Sequence, residues 1–451
     1  MRHRRRKSRI RSRLALALLV LAAALAAVIV WRPALPLVEA GAAGAPAFDP
    51  DLIKRGASLA AIGNCNVCHT AEGGIPFAGG RPIPTPFGTI YSTNITPDRE
   101  TGIGGWSSAA FQRAMRDGVS RDGRHLYPAF PYDHMAKMEP ADIDAVHAFV
   151  MTRRPVKATP PANELPFPFN LRPLIAGWKL LFLDKGTTMP EPIQSIEWNR
   201  GGYLVEGLGH CGACHTPRNA LGAEKRNQPY AGGETEGWIA PALNASSPAA
   251  VPWDAERLYR YLRHGFDEVH GVAAGPMAPV VRNLAGVPDA DVRAISVYVA
   301  SLAGAPTPAR TQTASQAVAR ASGQSAPPPG IQNSPGASLY AAACAQCHGE
   351  AGRAPEIRAL HLTLSSALRT PRPDNLIRII RDGVHAPDAT AELLMPGFAA
   401  SLSDTQVGVL AAYLRASFTE LPAWTDIEPA LRRVRERDAE TLRAQQKASL
   451  P

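Results

Sequence analysis

The stretch Cys65-Asn66-Val67-Cys68-His69 decides the fold class, because the same five-residue pattern returns twice more in the chain. The other copies are Cys211-Gly212-Ala213-Cys214-His215 and Cys344-Ala345-Gln346-Cys347-His348. C-x-x-C-H is the attachment signature of c-type haem, in which each sulfur forms a thioether to the porphyrin and the histidine becomes an axial ligand of iron. Two intervening residues suit one turn of helix, so both sulfurs and the imidazole can face one porphyrin.

A single C-x-x-C pattern is also compatible with a zinc half-site or a redox dithiol. All six cysteines of the chain lie in the three motifs, which leaves none to complete a zinc site or to form structural disulfides. The sequence therefore predicts three covalently bound haems c with their iron. The predicted attachment residues are Cys65, Cys68, Cys211, Cys214, Cys344 and Cys347, and the predicted axial histidines are His69, His215 and His348.

Chain length and net charge further limit the number of domains and the kinds of function that the sequence allows. A chain of 451 residues is long enough for about three domains, which gives one haem motif to each. The formal charge is +9, but eight of the basic residues lie within the first thirteen positions, so the remainder carries about +1. Nucleic-acid binding is therefore disfavoured, because it needs a basic patch on the folded part of the chain.

The basic cluster is followed by an apolar run, Leu14 to Trp31, of eighteen uncharged residues. As a helix this run would be about 27 Å long, close to the thickness of the hydrocarbon core of a bilayer. The length favours an uncleaved N-terminal membrane anchor, and the alternative is a signal segment cleaved near Ala40-Gly41-Ala42. In both cases the positive flank stays inside and the rest is exported, so we expect the chain on the periplasmic side of a bacterial cytoplasmic membrane.

One helical unit is predicted three times. Each copy begins with a helix that carries a glycine eight or nine residues before its first cysteine, namely Gly56, Gly202 and Gly336. A second helix ends in a matched sequence with glycine at the left-handed position, namely Arg116-Asp117-Gly118-Val119, Arg263-His264-Gly265-Phe266 and Arg381-Asp382-Gly383-Val384. A third, amphipathic helix bears an aromatic residue, namely Phe149, Tyr298 or Tyr413. The glycine of the first helix would let the third helix approach closely.

Helix-start signals and composition set the remaining boundaries. Ser107 and Asp254 are predicted N-caps, Pro140 starts a helix, and Ser403-Asp404-Thr405-Gln406 is a capping-box pattern. The predicted divisions are 1–46 for the basic and apolar segment, 47–186 for the first haem domain with a Pro-rich extension, 187–304 for the second, 305–335 for a flexible linker, 336–418 for the third, and 419–451 for a charged tail. In the tail, residues 426–446 are predicted to form a solvated helix with only a thin apolar stripe.

The sixth iron ligand decides what a haem does, because a methionine opposite the histidine closes the site, raises the reduction potential and favours electron transfer. In the second repeat the candidate is Met277, in Gly275-Pro276-Met277-Ala278-Pro279. In the third it is Met395, in Met395-Pro396-Gly397-Phe398. Both lie just before the closing helix, where a loop can reach across a haem.

The equivalent loop of the first repeat differs, because it carries Phe130, which cannot bind iron. The candidate ligands that follow it are His134, Met135 and Met138, and His125 precedes it. Methionine would give a high potential, histidine a lower one, and an open site would allow small ligands to bind. The sequence leaves these three alternatives open.

Several motifs resemble those of the trihaem cytochrome c subunits of bacterial membrane-bound dehydrogenases. They are Thr85-Pro86-Phe87-Gly88, Ser92-Thr93-Asn94-Ile95-Thr96-Pro97-Asp98, Gly102-Ile103-Gly104-Gly105-Trp106, Trp198-Asn199-Arg200-Gly201-Gly202-Tyr203-Leu204 and Cys214-His215-Thr216-Pro217-Arg218-Asn219. The resemblance covers about residues 47–418 without the linker. It implies an all-α chain of three class I cytochrome c domains in tandem, with the three cysteine pairs, their histidines, Met277 and Met395 as haem residues.

The resemblance also implies a function in electron transfer from a dehydrogenase subunit to a quinone, a terminal oxidase or a soluble cytochrome. Alcohol and sugar dehydrogenase members, which use a quinone or flavin cofactor, have methionine where this chain has Phe130. The Phe-Pro-Tyr-Asp-His wording resembles instead the cytochromes that accompany molybdenum hydroxylases acting on aldehydes or N-heterocycles. We expect no catalytic residue in this chain; the alternative function is a haem enzyme or small-ligand binder with an open first haem.

Overall fold

The computed structural model describes residues 13, 16–18, 20–21, 24, 28–38, 48–322, 331–349, 361–385 and 395–448. Within these residues the chain is rich in helices, and its strands form two-stranded antiparallel hairpins. This agrees with the predicted all-α class. Among the helices described, none has both the length and the apolar character needed to cross a bilayer. Of the eighteen residues of the predicted anchor, Leu14 to Trp31, eight lie outside the described residues, so its full span is not tested.

Helices and strands are numbered in chain order. The helices are α1 (Pro50–Ile62), α2 (Cys65–Cys68), α3 (Ser108–Asp117), α4 (Tyr132–Met135), α5 (Pro140–Met151), α6 (Pro173–Phe182), α7 (Ile196–Glu206), α8 (Gly212–His215), α9 (Ala255–His264), α10 (Met277–Leu284), α11 (Asp289–Leu302), α12 (Pro308–Ser322), α13 (Pro335–Ala343), α14 (Ala345–His348), α15 (Asp374–Asp382), α16 (Asp404–Phe418) and α17 (Ile427–Ala448). The hairpins are β1 (Pro82–Thr85) with β2 (Gly88–Tyr91), β3 (Gly233–Thr235) with β4 (Trp238–Ala240), and β5 (Phe266–Asp267) with β6 (Gly271–Val272).

The same helical frame occurs three times, once around each C-x-x-C-H motif. The helix before the motif packs against the closing helix of its unit, so that α1 contacts α5, α7 contacts α11, and α13 contacts α16. Glycines make this approach possible. A Cβ at Gly56 would lie 1.9 Å from the Ala145 carbonyl oxygen, and one at Gly336 would lie 2.5 Å from the Tyr413 Cβ. The predicted reason for the glycines is confirmed at both positions.

In the second unit two adjacent glycines, Gly201 and Gly202, lie at the helix contact, and they differ in how closely the closing helix approaches them. A Cβ at Gly201 would lie 2.0 Å from the Ala294 carbonyl oxygen, whereas one at Gly202 would lie 3.0 Å from the Tyr298 ring. The closest backbone approach therefore falls on Gly201, one residue before the predicted Gly202. The aromatic residue predicted for the third helix lies at the contact in each unit, as Phe149, Tyr298 and Tyr413.

The predicted helix ends are largely confirmed. The side chain of Ser107 accepts a hydrogen bond from the Ala110 amide, and that of Asp254 accepts one from the Arg257 amide. Ser403 and Gln406 form the reciprocal capping box. Gly118 and Gly265 adopt the left-handed conformation at φ 57° and 78°. Gly383 has a positive φ of 76° but a ψ of −171°, because the chain there turns directly towards Met395.

The first two units share one hydrophobic core. Leu59, Ile143 and Val146 of the first unit belong to the same buried cluster as Leu204 and Val292 of the second. The third unit has a separate core, which includes Tyr340, Ile377 and Leu410. The chain is therefore organised as a fused pair followed by a distinct third unit.

The prediction of a flexible linker over residues 305–335 is wrong for residues 308–322, because these residues form the helix α12. Ala314 and Ala317 are buried, and Ala317 packs with Ala250 of the second unit and Leu364 of the third. Arg310 donates hydrogen bonds to two backbone carbonyls of the second unit, and Arg320 pairs with Glu420. Alanine is the strongest helix former and needs little volume, so an alanine stripe can form a helix that a search for large apolar residues overlooks.

The C-terminal tail forms the predicted helix, but the helix is docked rather than solvated. Leu431 and Val434 are buried in the core of the third unit together with Ala430. The thin stripe is sufficient because the alanines let α17 approach closely. At its far end Gln445 and Lys447 reach the first unit, where they contact the carboxylates of Glu72 and Glu164.

Residues 31–38 run as an extended segment along the first unit. The Leu35 amide donates to the Arg121 carbonyl at 2.7 Å, and the Arg121 guanidinium donates back to the Leu35 carbonyl at 2.8 Å. Arg113 holds the Pro33 carbonyl at 2.8 Å. The segment that follows the apolar run is thus fastened to the first unit by backbone and arginine hydrogen bonds.

Candidate haem sites

The histidines of the first two motifs are held in the same way. The Nδ1 atom of His69 donates to the Thr93 carbonyl at 2.7 Å, and Nδ1 of His215 donates to the Pro241 carbonyl at 2.7 Å. A proton on Nδ1 leaves the lone pair of Nε2 free for a metal. Burial lowers the pKa of both histidines, which keeps the imidazoles neutral. A neutral, oriented imidazole is the form that binds iron.

The histidine of the third motif differs from the other two in its hydrogen bonding. The buried Nδ1 of His348 has no hydrogen-bond partner among the residues that the structure describes. Burial lowers the pKa of His348 as well. The third unit therefore has the same two thiols and one imidazole as the other units. Within the described residues, the hydrogen bond that orients the imidazole is found only in the first and second units.

The first cysteine of each motif is a protonated thiol in apolar surroundings. Burial raises the pKa of Cys65 and of Cys211 to about 12, and that of Cys344 to about 11. Reactive dithiols have lowered pKa values because nearby positive charge stabilises the thiolate. These thiols lack that stabilisation, so the geometry favours haem attachment over dithiol redox chemistry.

A cavity of about 2370 Å³ begins at the first motif and continues to the second. Its wall contains Cys65, Cys68 and His69 and also Cys214. Trp106, Phe111, Phe130, Val146 and Val150 supply much of its apolar lining. The volume exceeds the 300–1,000 Å³ of an ordinary ligand pocket. The donor set and the apolar lining fit a large flat cofactor held by two thiols and one imidazole.

Matched backbone hydrogen bonds fix the loop that follows the second helix in each of the first two units. The Leu126 amide donates to the Gly118 carbonyl at 2.8 Å, and the Ala273 amide donates to the Gly265 carbonyl at 2.9 Å. Four residues after these matched points lie Phe130 in the first unit and Met277 in the second. Phe130 therefore occupies the place in the fold that Met277 occupies, as the sequence predicted.

The candidate ligands that follow Phe130 lie in different places. Met135 ends α4, is buried and lines the cavity together with His69. Met138 is fully buried in the shared core and lies outside the cavity wall. The structure therefore brings one of the two methionines to the first motif. A methionine that sequence reasoning missed, Met115 on α3, also lines the cavity.

Both candidate histidines are engaged elsewhere. His134 places Nδ1 2.9 Å from the Glu206 carbonyl and Nε2 2.7 Å from the Glu224 carboxylate. Burial lowers the pKa of His134, but the hydrogen bond and charge of Glu224 outweigh burial and raise it. A doubly donating imidazolium has no lone pair for iron. His125 donates from Nε2 to the Val30 carbonyl at 2.9 Å and accepts at Nδ1 from Lys179 at 3.0 Å.

The predicted ligands of the other units are placed as follows. Met277 opens α10 and is partly buried against the core shared by the first two units. Met395 is partly buried and pairs with Val384, whose amide donates to the Met395 carbonyl at 2.9 Å. Both methionines thus lie between the second helix and the closing helix of their units, the position that the sequence predicted.

Comparison with known proteins decides the family. Residues 53–154 match the family model for cytochrome c, and residues 332–414 match that for subunit III of cbb3-type cytochrome c oxidase. The chain is 35% identical over 403 residues to the fructose dehydrogenase cytochrome subunit of Gluconobacter japonicus, covering 85% of this chain and 82% of the relative. It is 37% identical over 387 residues to the gluconate 2-dehydrogenase cytochrome c subunit of Pantoea cypripedii, covering 81% and 86%.

The chain belongs to the cytochrome c subunits of bacterial dehydrogenases. A further relative is a nicotinate dehydrogenase subunit of Pseudomonas putida, which is 48% identical over 416 residues. That match covers 91% of this chain but only 34% of the relative, so the chain spans about a third of that protein's length. The function of this cytochrome subunit is electron transfer through covalently bound haem c, and the alternative of a haem enzyme is not favoured.

Near the first haem motif, the interface between the first two units of the cytochrome subunit contains specific side-chain hydrogen bonds and an ion pair. Asn283 donates to the side-chain oxygens of Asn64 at 2.8 Å and Asn66 at 3.0 Å, beside the first motif. Arg81, which donates to the Val67 carbonyl within that motif, also pairs with Glu236 between β3 and β4 at 2.7 Å. These contacts tie the first haem motif to the second unit, and composition alone does not reveal them.

The third unit docks on the second through a short hairpin. The Asn375 side chain accepts from the Ile239 amide and donates to the Ile239 carbonyl, both at 2.8 Å. Arg378 donates to the Gly237 carbonyl at 3.0 Å and pairs with Asp438 of α17 at 2.9 Å. The hairpin that carries Ile239 leads directly to Pro241, whose carbonyl orients His215. The docking surface is therefore next to the second haem site.

Proposed function

We propose that this cytochrome subunit carries three haems in three class I cytochrome c domains, at 47–186, 187–304 and 336–418. The observation that carries the proposal is the helical frame that recurs around each C-x-x-C-H motif, with a glycine at each helix contact. Haem iron supplies the one-electron carrier when it is bound. The protein keeps each axial histidine neutral, because desolvation lowers its pKa.

The iron of each haem is bound by the histidine of its motif and by one methionine in this proposal. The sixth ligands are Met135 in the first domain, Met277 in the second and Met395 in the third. Met135 is supported by its place in the cavity wall beside His69 and by the engagement of His134 with Glu224. Three closed sites with methionine suit electron transfer rather than catalysis on small molecules.

The cytochrome subunit receives electrons from a dehydrogenase that acts on an N-heterocyclic substrate, as a molybdenum hydroxylase does. Two observations support this choice over a quinoprotein or flavoprotein alcohol or sugar dehydrogenase. The loop has phenylalanine at position 130, and the nicotinate dehydrogenase relative matches 91% of this chain at 48% identity. Nicotinate is itself an N-heterocyclic acid. The acceptor is a respiratory quinone, a terminal oxidase or a soluble cytochrome.

The subunit works on the periplasmic side of the cytoplasmic membrane, held by its apolar N-terminal segment or exported by it. The eighteen-residue length of the apolar run and its basic flank support this location. The contacts of residues 31–38 with Arg113 and Arg121 would hold the first domain close to the bilayer.

Electrons pass through the docked arrangement rather than by a swing of the third domain. A long linker would allow the third domain to move, but α12 and the Asn375–Ile239 pair fasten it to the second domain. Breaking the Asn375–Ile239 pair tests this docked arrangement. Asn375→Leu removes both hydrogen bonds, so we expect slower electron delivery to the native acceptor with unchanged haem content.

The experiment for the partner is co-purification of the tagged subunit from native membranes in mild detergent, followed by identification of the bound cofactor. Molybdopterin in the complex, together with haem reduction on addition of nicotinate, is the expected result. Pyrroloquinoline quinone or flavin would contradict the partner proposal and return the subunit to the alcohol and sugar dehydrogenases. Purification without a dehydrogenase would favour a free-standing electron carrier.

A further inference from the structure

Helix α6 (Pro173–Phe182) has its polar and apolar faces reversed with respect to the protein core. The side chain of Lys179 is buried and its ammonium donates to the Asp117 and Gly118 carbonyls at 2.7 and 2.5 Å. Leu180 is exposed by 67% of its surface, and Leu174 and Leu181, which also line the cavity of the first motif, are exposed by 52% and 63%. A helix on the surface of a soluble domain normally turns its leucines inwards and its lysine outwards.

The exposed apolar surface is larger than the helix. Phe167 and Leu171, which precede α6, are also exposed and lie outside the cavity wall, whereas the exposed Phe169 and Leu221 line the cavity. The Trp178 indole donates to the Leu221 carbonyl at 2.9 Å, so the two segments are joined. A Cβ added to Gly177 would meet nothing within 4 Å, which places open space over the middle of this face. Grouped apolar exposure of this kind marks a contact with a partner or a membrane.

The neighbour of α6 indicates which occupant covers this face. His125 accepts from Lys179 of α6 at Nδ1 and donates to the Val30 carbonyl at Nε2. Val30 is the last helical residue described in the apolar run, in which Leu16, Leu21 and Val28 are helical and exposed. One imidazole thus links α6 to the end of the apolar run. Trp31, at the same end, is 70% exposed, and tryptophan is enriched at membrane interfaces.

We propose that the face of α6 that bears Leu180, together with Phe167 and Leu171 of the preceding turn, lies in the headgroup and acyl boundary of a lipid bilayer. A helix of ten residues is about 15 Å long, so it lies in the membrane plane and does not cross it. The buried Lys179 holds α6 to the C-terminal end of α3, where the helix dipole favours a positive charge. This second contact would set the angle of the first domain to the membrane, and it rests on the membrane location proposed above.

The test uses the full holoprotein in bilayer discs of phosphatidylcholine and phosphatidylglycerol. The native cysteines are bonded to haem, so Leu180→Cys introduces a single free thiol. The matched control is Val318→Cys, at an exposed apolar position on another helix, α12. A charged, membrane-impermeant maleimide should alkylate position 180 at least about tenfold more slowly than position 318, because an apolar environment suppresses the thiolate.

A photoactivatable phosphatidylcholine in the same discs identifies the occupant. Cross-linking of lipid to the peptide that contains α6, in discs with the cytochrome subunit alone, is the expected result. Equal alkylation at positions 180 and 318 without lipid cross-links would overturn the proposal. Protection that appears only when a dehydrogenase subunit is bound, again without lipid cross-links, would also overturn it. The haem spectrum and reduction by dithionite are recorded in parallel, so a failed membrane contact is distinguishable from a failed electron-transfer function.

Discussion

The first and second haem units share their frame but differ in the loop that faces the haem. In both, a helix that ends in glycine is followed by a segment that returns to hydrogen-bond the glycine carbonyl, and in both the histidine of the haem motif donates to a backbone carbonyl. The second unit then places Met277 where the first places Phe130. The first unit adds α4, which brings Met135 to the cavity five residues later. A shared frame can therefore keep a methionine at the site while moving its position in the chain.

The largest expected effect is the loss of a whole haem. Replacing both cysteines of one motif, as in Cys65→Ala with Cys68→Ala or Cys211→Ala with Cys214→Ala, removes both thioether attachments of that unit. Covalent haem per protein should fall by about one third in either variant, since each motif attaches one haem. The ratio is measured by haem absorbance against protein mass. An unchanged ratio in one variant would show that its motif carries no haem.

The second-largest expected effect is on the reduction potentials of the haems. It tests whether the sixth ligand of the first haem is Met135, five residues after the position that Met277 occupies in the second unit. Met135→Leu and Met277→Leu should each lower the reduction potential of one haem, on the order of 0.1 V within the ~0.8 V range that axial ligands span. A spectroelectrochemical titration measures the three potentials. Met115→Leu and Phe130→Leu are matched controls in the same cavity and should leave all three nearly unchanged. If Met115→Leu lowers a potential and Met135→Leu does not, Met115 is the ligand instead.

The third effect concerns the shared frame. Gly56→Ala and Gly201→Ala each push a Cβ into a backbone carbonyl, at 1.9 and 2.0 Å, so each should destabilise its unit by about 1–3 kcal/mol. Gly202→Ala is the control, because its Cβ would meet only the edge of the Tyr298 ring at 3.0 Å. Thermal unfolding followed by haem circular dichroism measures the difference. Equal midpoints for Gly201→Ala and Gly202→Ala would contradict the assigned packing.

The smallest expected effect is a pH-dependent change in stability, caused by Glu206 at the interface between the first two units. Glu206 pairs with Lys137 at 3.1 Å and accepts hydrogen bonds from Tyr230 and Tyr298. Burial alone would raise the pKa of Glu206, but the Lys137 charge and these hydrogen bonds lower it below its usual 4.5. The stability it contributes is therefore present above pH 4.5 and is lost as the pH falls through the lowered pKa.

Glu206→Gln should accordingly cost about 1–2 kcal/mol near neutral pH and much less in acid. Chemical unfolding of both proteins at pH 7 and at low pH provides the comparison. A difference between them that is equally large at both pH values would mean that the charge of Glu206 plays no part in holding the units together.

Local chemistry explains which parts of the molecule were predictable. The haem motifs, the N-caps at Ser107 and Asp254, and the glycine contact at Gly56 depend on short stretches whose meaning is nearly independent of context. Met135 was named only among several candidates, because its place depends on how α4 packs beneath Phe130. Helix α12 was missed since its buried stripe consists of Ala314 and Ala317. The docked α17 was missed for the same reason, as Ala430 completes its stripe.

Carbon monoxide binding by the reduced protein tests the central claim most directly, because ferrous haem takes up the gas only where the sixth position is open. The account predicts that the reduced wild-type protein binds none, and that Met135→Ala binds one carbon monoxide per chain. The visible difference spectrum gives the stoichiometry. Uptake of one carbon monoxide per chain by the wild-type protein would contradict a closed first haem and favour small-ligand chemistry at that site.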